Sequence, residues 1–162
     1  MNDKINGLEY VDLGLPSGTL WATCNIGAEK FSDFGDYLTW EEGDNAVFLL
    51  RGGWSLPTKE QWEELKNHTK SYWSERNGNI GKIYFADNGT FLFCPAAGYF
   101  RENGSSNAIN SCGHYWLSSI NLDYPNWAYC FYFDHDRDTN GVGEADRLAG
   151  LRFSVRAVFN KR

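Results

Sequence analysis

Segments rich in aromatic and β-branched residues recur along the chain, and they are the feature that most limits its fold. The clearest are "HYWLSS", "WAYCFYFD" and "RFSVRAVF" in the last third. Such residues favour the extended backbone of a β-sheet. A further segment, "KIYFADNGTFLFCPAAGY", predicts a hairpin with Asn88-Gly89 as its tight turn, because glycine accepts a positive φ and asparagine nearly does. Strands therefore dominate the predicted fold.

One segment, "SLPTKEQWEELKNH", has a clear helix start. Thr58 is the expected N-cap and Gln61 stands three residues later, which is the spacing of a capping box. Trp62 and Leu65 then share one face, and the helix is expected to end near Asn67. With two short strands predicted around the Pro-Ser-Gly turn of "LEYVDLGLPSGTLWATCNIG", the fold class is α+β, strand-dominated with few short helices.

Three polar stretches, 101–113, 120–127 and 134–147, are predicted to be long loops. Loops of such length in a domain of this size are often functional, because the scaffold holds them while their side chains stay accessible. They are therefore the first places to look for a binding site.

The length and charge of the chain limit both its organisation and its partners. We expect 162 residues to form a single domain, 1–162, with no internal repeat. A net charge of −6 disfavours nucleic acid and anionic membrane as partners, since both need a basic face. No apolar run reaches membrane-spanning length, so no membrane insertion is expected. The start "MNDKINGLEY" has no secretory signal, so the protein stays inside the cell, has lost a signal or is exported by another route.

The four cysteines, Cys24, Cys94, Cys112 and Cys130, form no CxxC pair. A structural zinc site is therefore not expected. Without a secretory signal or a dense cysteine framework, separate reduced thiols are the favoured interpretation.

The acidic segment "FDHDRDTNGVGEADR" superficially resembles a calcium loop. Counted from Asp136, the first half of an EF-hand pattern is present, but Arg147 occupies the twelfth position, where a bidentate glutamate is required. Counted from Asp134, Thr139 replaces the glycine and Ala145 the glutamate. We therefore expect no bound metal and a solvated acidic loop within a binding face; a calcium site of another kind stays open as an alternative.

Catalytic motifs are not evident in the sequence. His68 ends the predicted helix, His114 adjoins an aromatic strand as a candidate satisfied structural imidazole, and His135 lies in the acidic segment. Neither a Gly-x-Ser-x-Gly elbow nor a His-Glu-x-x-His motif occurs. No catalytic residue and no cofactor are expected.

Six motifs stand in order along the chain, from about residue 8 to 159: "VDLGLPSGTLWATCNIGA", "GDYLTWEE", "WSLPTKEQWEEL", "FCPAAGY", "HYWLSS" and "RFSVRAV". Together they resemble the Fibrobacter succinogenes major paralogous domain. The resemblance implies a C-type-lectin-like fold, in the branch that includes formylglycine-generating enzymes and the variable proteins of diversity-generating retroelements. Segment 116–156 is similar to the variable region of those proteins, which carries a diversified ligand-binding face.

In such variable regions, residues change by misreading of adenines, and asparagine-type codons then cannot reach Trp, Lys, Gln, Glu or Met. None of these five types occurs between Ala128 and Gly143. In "AYCFYFD", Cys130 and Tyr132 alternate with Phe131 and Phe133. If the phenylalanines face the core, Cys130 is expected to point outward. The alternative is a buried free cysteine, a common place for that residue.

The resemblance implies a non-catalytic module that binds a protein or glycan on another cell or particle surface, with the protein itself at a cell surface or on a phage particle. A structural or adhesive domain without a diversified face is the alternative, and an enzyme of the formylglycine-generating branch is the third. Five tryptophans are predicted to lie in the core: Trp21, Trp40, Trp54, Trp62 and Trp116. The expected ligand-binding residues are Asn121, Asp123, Tyr124, Asn126, Trp127, Cys130, Tyr132, Asp134, His135, Asp136, Arg137, Asp138, Asn140, Leu148 and Arg152.

Overall fold

The computed structural model describes residues 3–160, and within them the chain is a strand-dominated α+β protein. The helices are α1 (Trp40–Leu49), α2 (Lys59–Asn67) and a 3-10 turn (Arg147–Ala149). The strands are β1 (Lys4–Ile5), β2 (Leu8–Val11), β3 (Thr19–Ala22), β4 (Trp54–Ser55), β5 (Lys70–Arg76), β6 (Asn79–Phe85), β7 (Phe91–Pro95), β8 (Tyr99–Phe100), β9 (Ser106–Asn107), β10 (Cys112–Ile120), β11 (Trp127–Asp134), β12 (Thr139–Asp146) and β13 (Val158–Asn160).

Helix α2 begins and ends where the sequence predicts. The Gln61 N–H donates to Thr58 Oγ1 at 3.0 Å, and the Thr58 N–H donates to Gln61 Oε1 at 2.8 Å, which completes the capping box. Trp62 and Leu65 are fully buried on the inner face. Local capping and the spacing of two apolar residues thus suffice to define this element.

Helix α1 was not predicted, although it begins with the same signature. Thr39 is its N-cap, and Glu42 completes a second capping box. Gly43 interrupts the helical pattern in the sequence, because glycine is a weak helix former. In the structure a Cβ at Gly43 would lie 2.9 Å from Val155 Cγ2, so glycine permits the helix to approach the C-terminal segment closely. Tertiary packing outweighs propensity here.

A five-stranded sheet of order β1-β2-β3-β13-β4 brings strands from both ends of the chain together. The pairs are antiparallel, with β13 between β3 and β4. The two short strands expected around the Pro-Ser-Gly turn are β2 and β3, which confirms that part of the prediction.

Strands β5, β6 and β7 form an antiparallel sheet, and the predicted β6–β7 hairpin is confirmed. Its turn is longer than a two-residue turn, since the Ala86 N–H donates to the Thr90 carbonyl at 2.9 Å. Gly89 has a φ of 87°, whereas Asn88 accepts a hydrogen bond from the Thr90 N–H through its side chain. Strand β5 was not predicted, because its polar and charged residues obscure the alternation.

The third sheet, β10-β11-β12, carries the candidate binding region. The prediction of a loop over 134–147 is wrong, because β12 pairs with β11 along eight residues and leaves a turn at 135–138. Glycines and charged residues give β12 a low intrinsic strand propensity. The strand forms nevertheless, because its backbone hydrogen-bonds to β11 along its length. The predicted loop 101–113 contains β9 and the start of β10, while 121–126 is a loop as expected.

The core consists of two apolar clusters. One lies between the β5-β6-β7 and β10-β11-β12 sheets and includes Tyr84, Leu92, Phe131 and Phe133. The other lies beneath α1 and the C-terminal segment. All five tryptophans predicted to be in the core are at most 9% exposed, which confirms that prediction; they are Trp21, Trp40, Trp54, Trp62 and Trp116. Among the described residues, no helix combines the length and the apolar character needed to cross a membrane.

Candidate functional site

The two faces of strand β11 have different surroundings. Phe131 and Phe133 are fully buried against the first cluster, where Phe131 stacks on Trp62 with ring centroids 4.9 Å apart. Cys130 and Tyr132 point to the opposite side of the sheet. The prediction that the phenylalanine face meets the core is therefore confirmed, and the opposite face is the one available for a ligand.

Cys130 itself does not reach that surface, so its predicted exposure is wrong. The side chain is 4% exposed and belongs to the same apolar cluster as Trp116 and Phe153. Burial raises the pKa of the Cys130 thiol to about 12. The physical reason is that the C-terminal segment pairs with the edge of β10 through Ser154 and Tyr115, and the Phe153 ring of that segment stacks on Trp116, which is the partner of Cys130 across β10 and β11. Cys130 is a packed apolar residue that contributes to the floor of this region without projecting from the surface.

An open groove of about 580 Å³ lies on this face of the sheet. Glycines at 141 and 143 face Tyr132 and Cys130 across the β11–β12 pair, so no side chain from β12 fills the space above them. The groove is lined by Tyr99, His114, Trp127, Cys130, Tyr132, Arg137, Gly143, Glu144, Ala145, Asp146, Leu151 and Phe153.

His114 lies among the aromatic rings of the groove. Its ring centroid is 5.0 Å from that of Tyr99, 5.2 Å from that of Phe153 and 6.3 Å from that of Tyr132. Burial lowers the pKa of His114 from 6.5 to about 4, against an opposing effect of the Asp134 carboxylate. Its buried Nδ1 has no hydrogen-bond partner among residues 3–160, so the interpretation of His114 as a satisfied structural imidazole is wrong. It is neutral near pH 7.

Loop 121–126 closes one end of the sheet and is held by its own side chains. Asn121 Oδ1 accepts hydrogen bonds from the backbone N–H groups of Asp123 and Tyr124, at 2.9 and 3.1 Å. Its Nδ2 donates to Glu144 at 3.1 Å. Asn121 therefore fixes the loop, whereas Asp123 and Asn126 are exposed.

Four apolar side chains are exposed in and beside this loop. The backbone joins the loop to the end of β12, because the Arg147 N–H donates to the Asn126 carbonyl at 2.7 Å. Large exposed apolar groups in one region are typical of an interaction surface. The four, with their exposed fractions, are Leu122 (95%), Tyr124 (67%), Trp127 (40%) and Leu148 (72%).

The acidic turn at 134–138 uses its polar groups within the protein. Asp134 Oδ1 accepts from the N–H groups of residues 136 and 137, at 3.0 and 3.3 Å. Ser111 donates to Asp136 at 3.0 Å, and Trp73 Nε1 donates to Asp138 at 3.3 Å. The His135 ring packs edge-on against Trp73. Residues 135–138 are exposed, as the prediction of a solvated acidic segment requires, and the turn is in addition tethered to its neighbours by these hydrogen bonds.

The predicted site residues therefore do not form one cluster. Trp127 and Asp134 are seven residue steps apart along β11, roughly 23 Å at about 3.3 Å per step, so the loop and the turn lie at opposite ends of the sheet. Asn140 is paired with Phe133 and shares the core side of the sheet rather than the groove. Arg152 donates to Glu42 of α1. Trp127, Tyr132 and Arg137 are the predicted residues, besides Cys130, that the structure brings to the groove.

Sequence reasoning missed several groove residues. Tyr99, Leu151 and Phe153 come from other parts of the chain, and no local pattern marks them. Gly141 and Gly143 do provide a local signal for the groove, because alternate glycines in a strand leave space on one face of the sheet.

Groups of three or more potential metal ligands are not found within residues 3–160. Comparison with known proteins found no matching family model, no matching curated protein and no matching solved structure.

Proposed function

We propose that the protein is a non-catalytic ligand-binding module whose ligand lies in the groove above β11 and against the exposed apolar side chains of loop 121–126. The observation that carries the proposal is the groove itself. It is open, about 580 Å³ in volume, and bordered by Tyr99, Trp127, Tyr132 and Phe153. Ligand sites of folded proteins commonly have volumes of about 300–1,000 Å³ and mainly apolar and aromatic walls.

The chemistry of the groove favours contact and hydrogen bonding over bond breaking. Tyr132 and Trp127 supply large rigid surfaces with one polar atom each, a combination enriched at interfaces. Arg137 and the neutral imidazole of His114 add polar groups that give orientation. A loop of a surface protein or a glycan on another cell or particle matches this lining.

The proposal extends to fold and family: a C-type-lectin-like domain serving as the variable protein of a diversity-generating retroelement, at a cell surface or on a phage particle. Support comes from the six ordered motifs. It also comes from the position of the segment without Trp, Lys, Gln, Glu or Met, which spans most of β11 and β12, the strands that border the groove.

A structural or adhesive domain without a diversified face is the second candidate, and a specific observation favours it. Asn121, Asp134, Asp136 and Asp138 hold their own loops in place, and Cys130 is buried, so fewer positions are free to vary than the sequence suggested. A neighbouring reverse-transcriptase gene with an adenine-biased template repeat would decide for the diversified face.

Two small libraries test the proposal in the protein itself. Joint randomisation of the groove and loop set is expected to preserve soluble protein that melts cooperatively, because other residues hold the backbone. The comparison set is expected to fail, because its side chains fill the core. The first set is Asp123, Tyr124, Asn126, Tyr132, Arg137 and Leu148, and the comparison set is Trp116, Phe131, Phe133, Val155 and Arg156.

Binding is the decisive readout of the first library. Displayed variants selected on a panel of surface proteins and immobilised glycans are expected to gain new partners. Folded variants that never gain a partner would favour the structural alternative, and equal loss of folding in both libraries would exclude a diversified face.

A further inference from the structure

The outer face of the β5-β6-β7 sheet carries aromatic side chains that the core does not use. Alternation along the strands sends Trp73, Tyr84 and Leu92 towards the first cluster. The opposite face presents Tyr72, Phe85 and Phe91, which are 55%, 39% and 41% exposed.

These rings form a continuous line across the sheet. The ring centroids of Tyr72 and Phe85 are 6.2 Å apart, and those of Phe85 and Phe91 are 6.0 Å apart. Phe31 continues the line, with its centroid 6.0 Å from that of Phe91. We call Tyr72, Phe85, Phe91 and Phe31 the aromatic row. The spacing follows from the pairing of β5 to β6 and β6 to β7, so the sheet itself holds the rings in register.

A cavity of about 230 Å³ lies at the Phe31 end of the row. Phe31 and Phe91 form its apolar walls, and Glu9, Thr23 and Thr90 add polar groups. Thr23 Oγ1 donates to Glu9 Oε1 at 3.0 Å, which orients that carboxylate. A flat ring wall beside a carboxylate and hydroxyl groups matches a sugar ring, which has apolar C–H faces and hydroxyl groups at its edge.

The charges around the aromatic row and the exposed area of its rings limit the class of ligand further. Glu9 lies in the cavity and the exposed Asp12 and Asp87 lie nearby, whereas the exposed Lys30 adjoins Phe31 and Lys70 is paired with Phe85. The row therefore carries mixed charge on an acidic chain, which favours an uncharged sugar chain over sulfated, phosphorylated or uronic-acid chains. At about 200 Å² per aromatic side chain, the exposed parts of Tyr72, Phe85 and Phe91 offer roughly 300 Å². A stable protein interface needs about 800 Å² on each partner. The exposed rings by themselves supply less than half of that area, and their arrangement in a single line suits a narrow, extended chain.

We propose that the aromatic row and its end cavity bind a neutral polysaccharide. Successive sugar rings stack on the row, and one sugar enters the cavity, where Glu9 and Thr90 accept or donate hydrogen bonds to its hydroxyl groups. The row lies outside the β5-β6-β7 sheet and the groove lies outside the β10-β11-β12 sheet, with the first core cluster between them. This second site is therefore independent of the function proposed for the groove.

Native gels containing a soluble polysaccharide test the proposal, with the full chain as the migrating protein. The neutral probes are mixed-linkage β-glucan, glucomannan and xylan, and polygalacturonate is the anionic control. Migration is expected to slow in at least one neutral gel and not in polygalacturonate. Tyr72→Ala is expected to weaken binding at least about tenfold.

Three variants serve as controls. Tyr72→Phe keeps the ring and is expected to bind within about twofold of the parent. Phe48→Ala removes an exposed phenylalanine of α1, 74% exposed and outside the row, and is expected to leave binding unchanged. Tyr132→Ala alters the groove alone, so it separates the two sites. Thermal melts confirm that each variant is folded.

Several results would overturn the proposal. These are unchanged migration in all three neutral gels, equal retention of Tyr72→Ala and the parent, or stronger retention in polygalacturonate. Loss of retention in Tyr132→Ala alone would assign the polysaccharide to the groove instead. A dimer in sedimentation velocity that Tyr72→Ala abolishes would show that a second copy covers the row.

Discussion

Aromatic residues of this chain differ in how much stability is lost when they are replaced, and burial is the reason. Trp62 is fully buried and stacks on Phe131, whereas Tyr132 is half-buried at the edge of the groove. Trp62→Ala is expected to cost about 3–5 kcal/mol of unfolding free energy, since it leaves a cavity. Tyr132→Ala is expected to cost about 1 kcal/mol or less. Urea unfolding measures both, and equal large losses would mean that Tyr132 is a core residue.

His114 makes stability depend on pH. Burial lowers its pKa from 6.5 to about 4, so between these values the unfolded chain binds a proton that the folded protein does not. Stability from this residue is complete above pH 6.5 and falls as the pH drops towards 4, by about 3 kcal/mol. Urea unfolding at pH 7 and pH 4.5 is expected to show a smaller loss in His114→Phe than in the parent. Identical losses would show that His114 is readily protonated in the fold.

At the scale of elements, the turn of the β11–β12 hairpin, whose sequence resembles a calcium loop, is held by hydrogen bonds to its own carboxylates. Each carboxylate of its turn accepts a hydrogen bond: Asp134 from the backbone, Asp136 from Ser111 and Asp138 from Trp73. Helix α1 and helix α2 likewise begin with reciprocal capping boxes. Short-range hydrogen bonds therefore define where these elements begin and turn.

Calcium is accordingly expected to leave the melting temperature unchanged. A ligand at a hundred times its dissociation constant stabilises a protein by about 2.7 kcal/mol, which a melt detects readily. The measurement is a thermal melt with millimolar calcium and with a chelator, using magnesium as the control. A rise specific to calcium that Asp136→Ala abolishes would contradict the expectation.

For the molecule as a whole, Arg156 joins parts that are distant in sequence. Its buried guanidinium donates to Asn25 Oδ1 at 2.8 Å, to the Phe93 carbonyl at 2.9 Å and to the Ala22 carbonyl at 3.3 Å. These contacts link β3, the following loop and β7. The bond to Asn25 fixes the loop that follows β3.

Arg156→Ala is expected to cost about 3 kcal/mol or more, because it leaves three buried acceptors without their donor. Arg152→Ala is the matched control, since it removes an arginine from a surface pair with Glu42 and is expected to cost about 1 kcal/mol or less. Urea unfolding compares the two variants. Similar losses of unfolding free energy in the two variants would mean that the hydrogen bonds of the buried guanidinium contribute little to stability.

The sequence by itself determined the elements whose information is local. Helix α2 follows from Thr58, Gln61 and the spacing of Trp62 and Leu65, and the orientation of β11 follows from the alternation of its phenylalanines. These features depend on contacts within a few residues, so a short segment contains their physical cause.

Only the tertiary structure decided which faces of the β5-β6-β7 and β10-β11-β12 sheets are buried and which residues from elsewhere in the chain pack against them. Strand β12 forms because its backbone pairs with β11, and Cys130 is buried because it packs with Trp116 and Phe153 in the second cluster. The groove takes Tyr99 and Phe153 from other parts of the chain, and Phe31 joins the aromatic row from outside the β5-β6-β7 sheet. Burial and ring contacts between distant segments depend on how the whole chain packs, and no local pattern in the sequence contains that information.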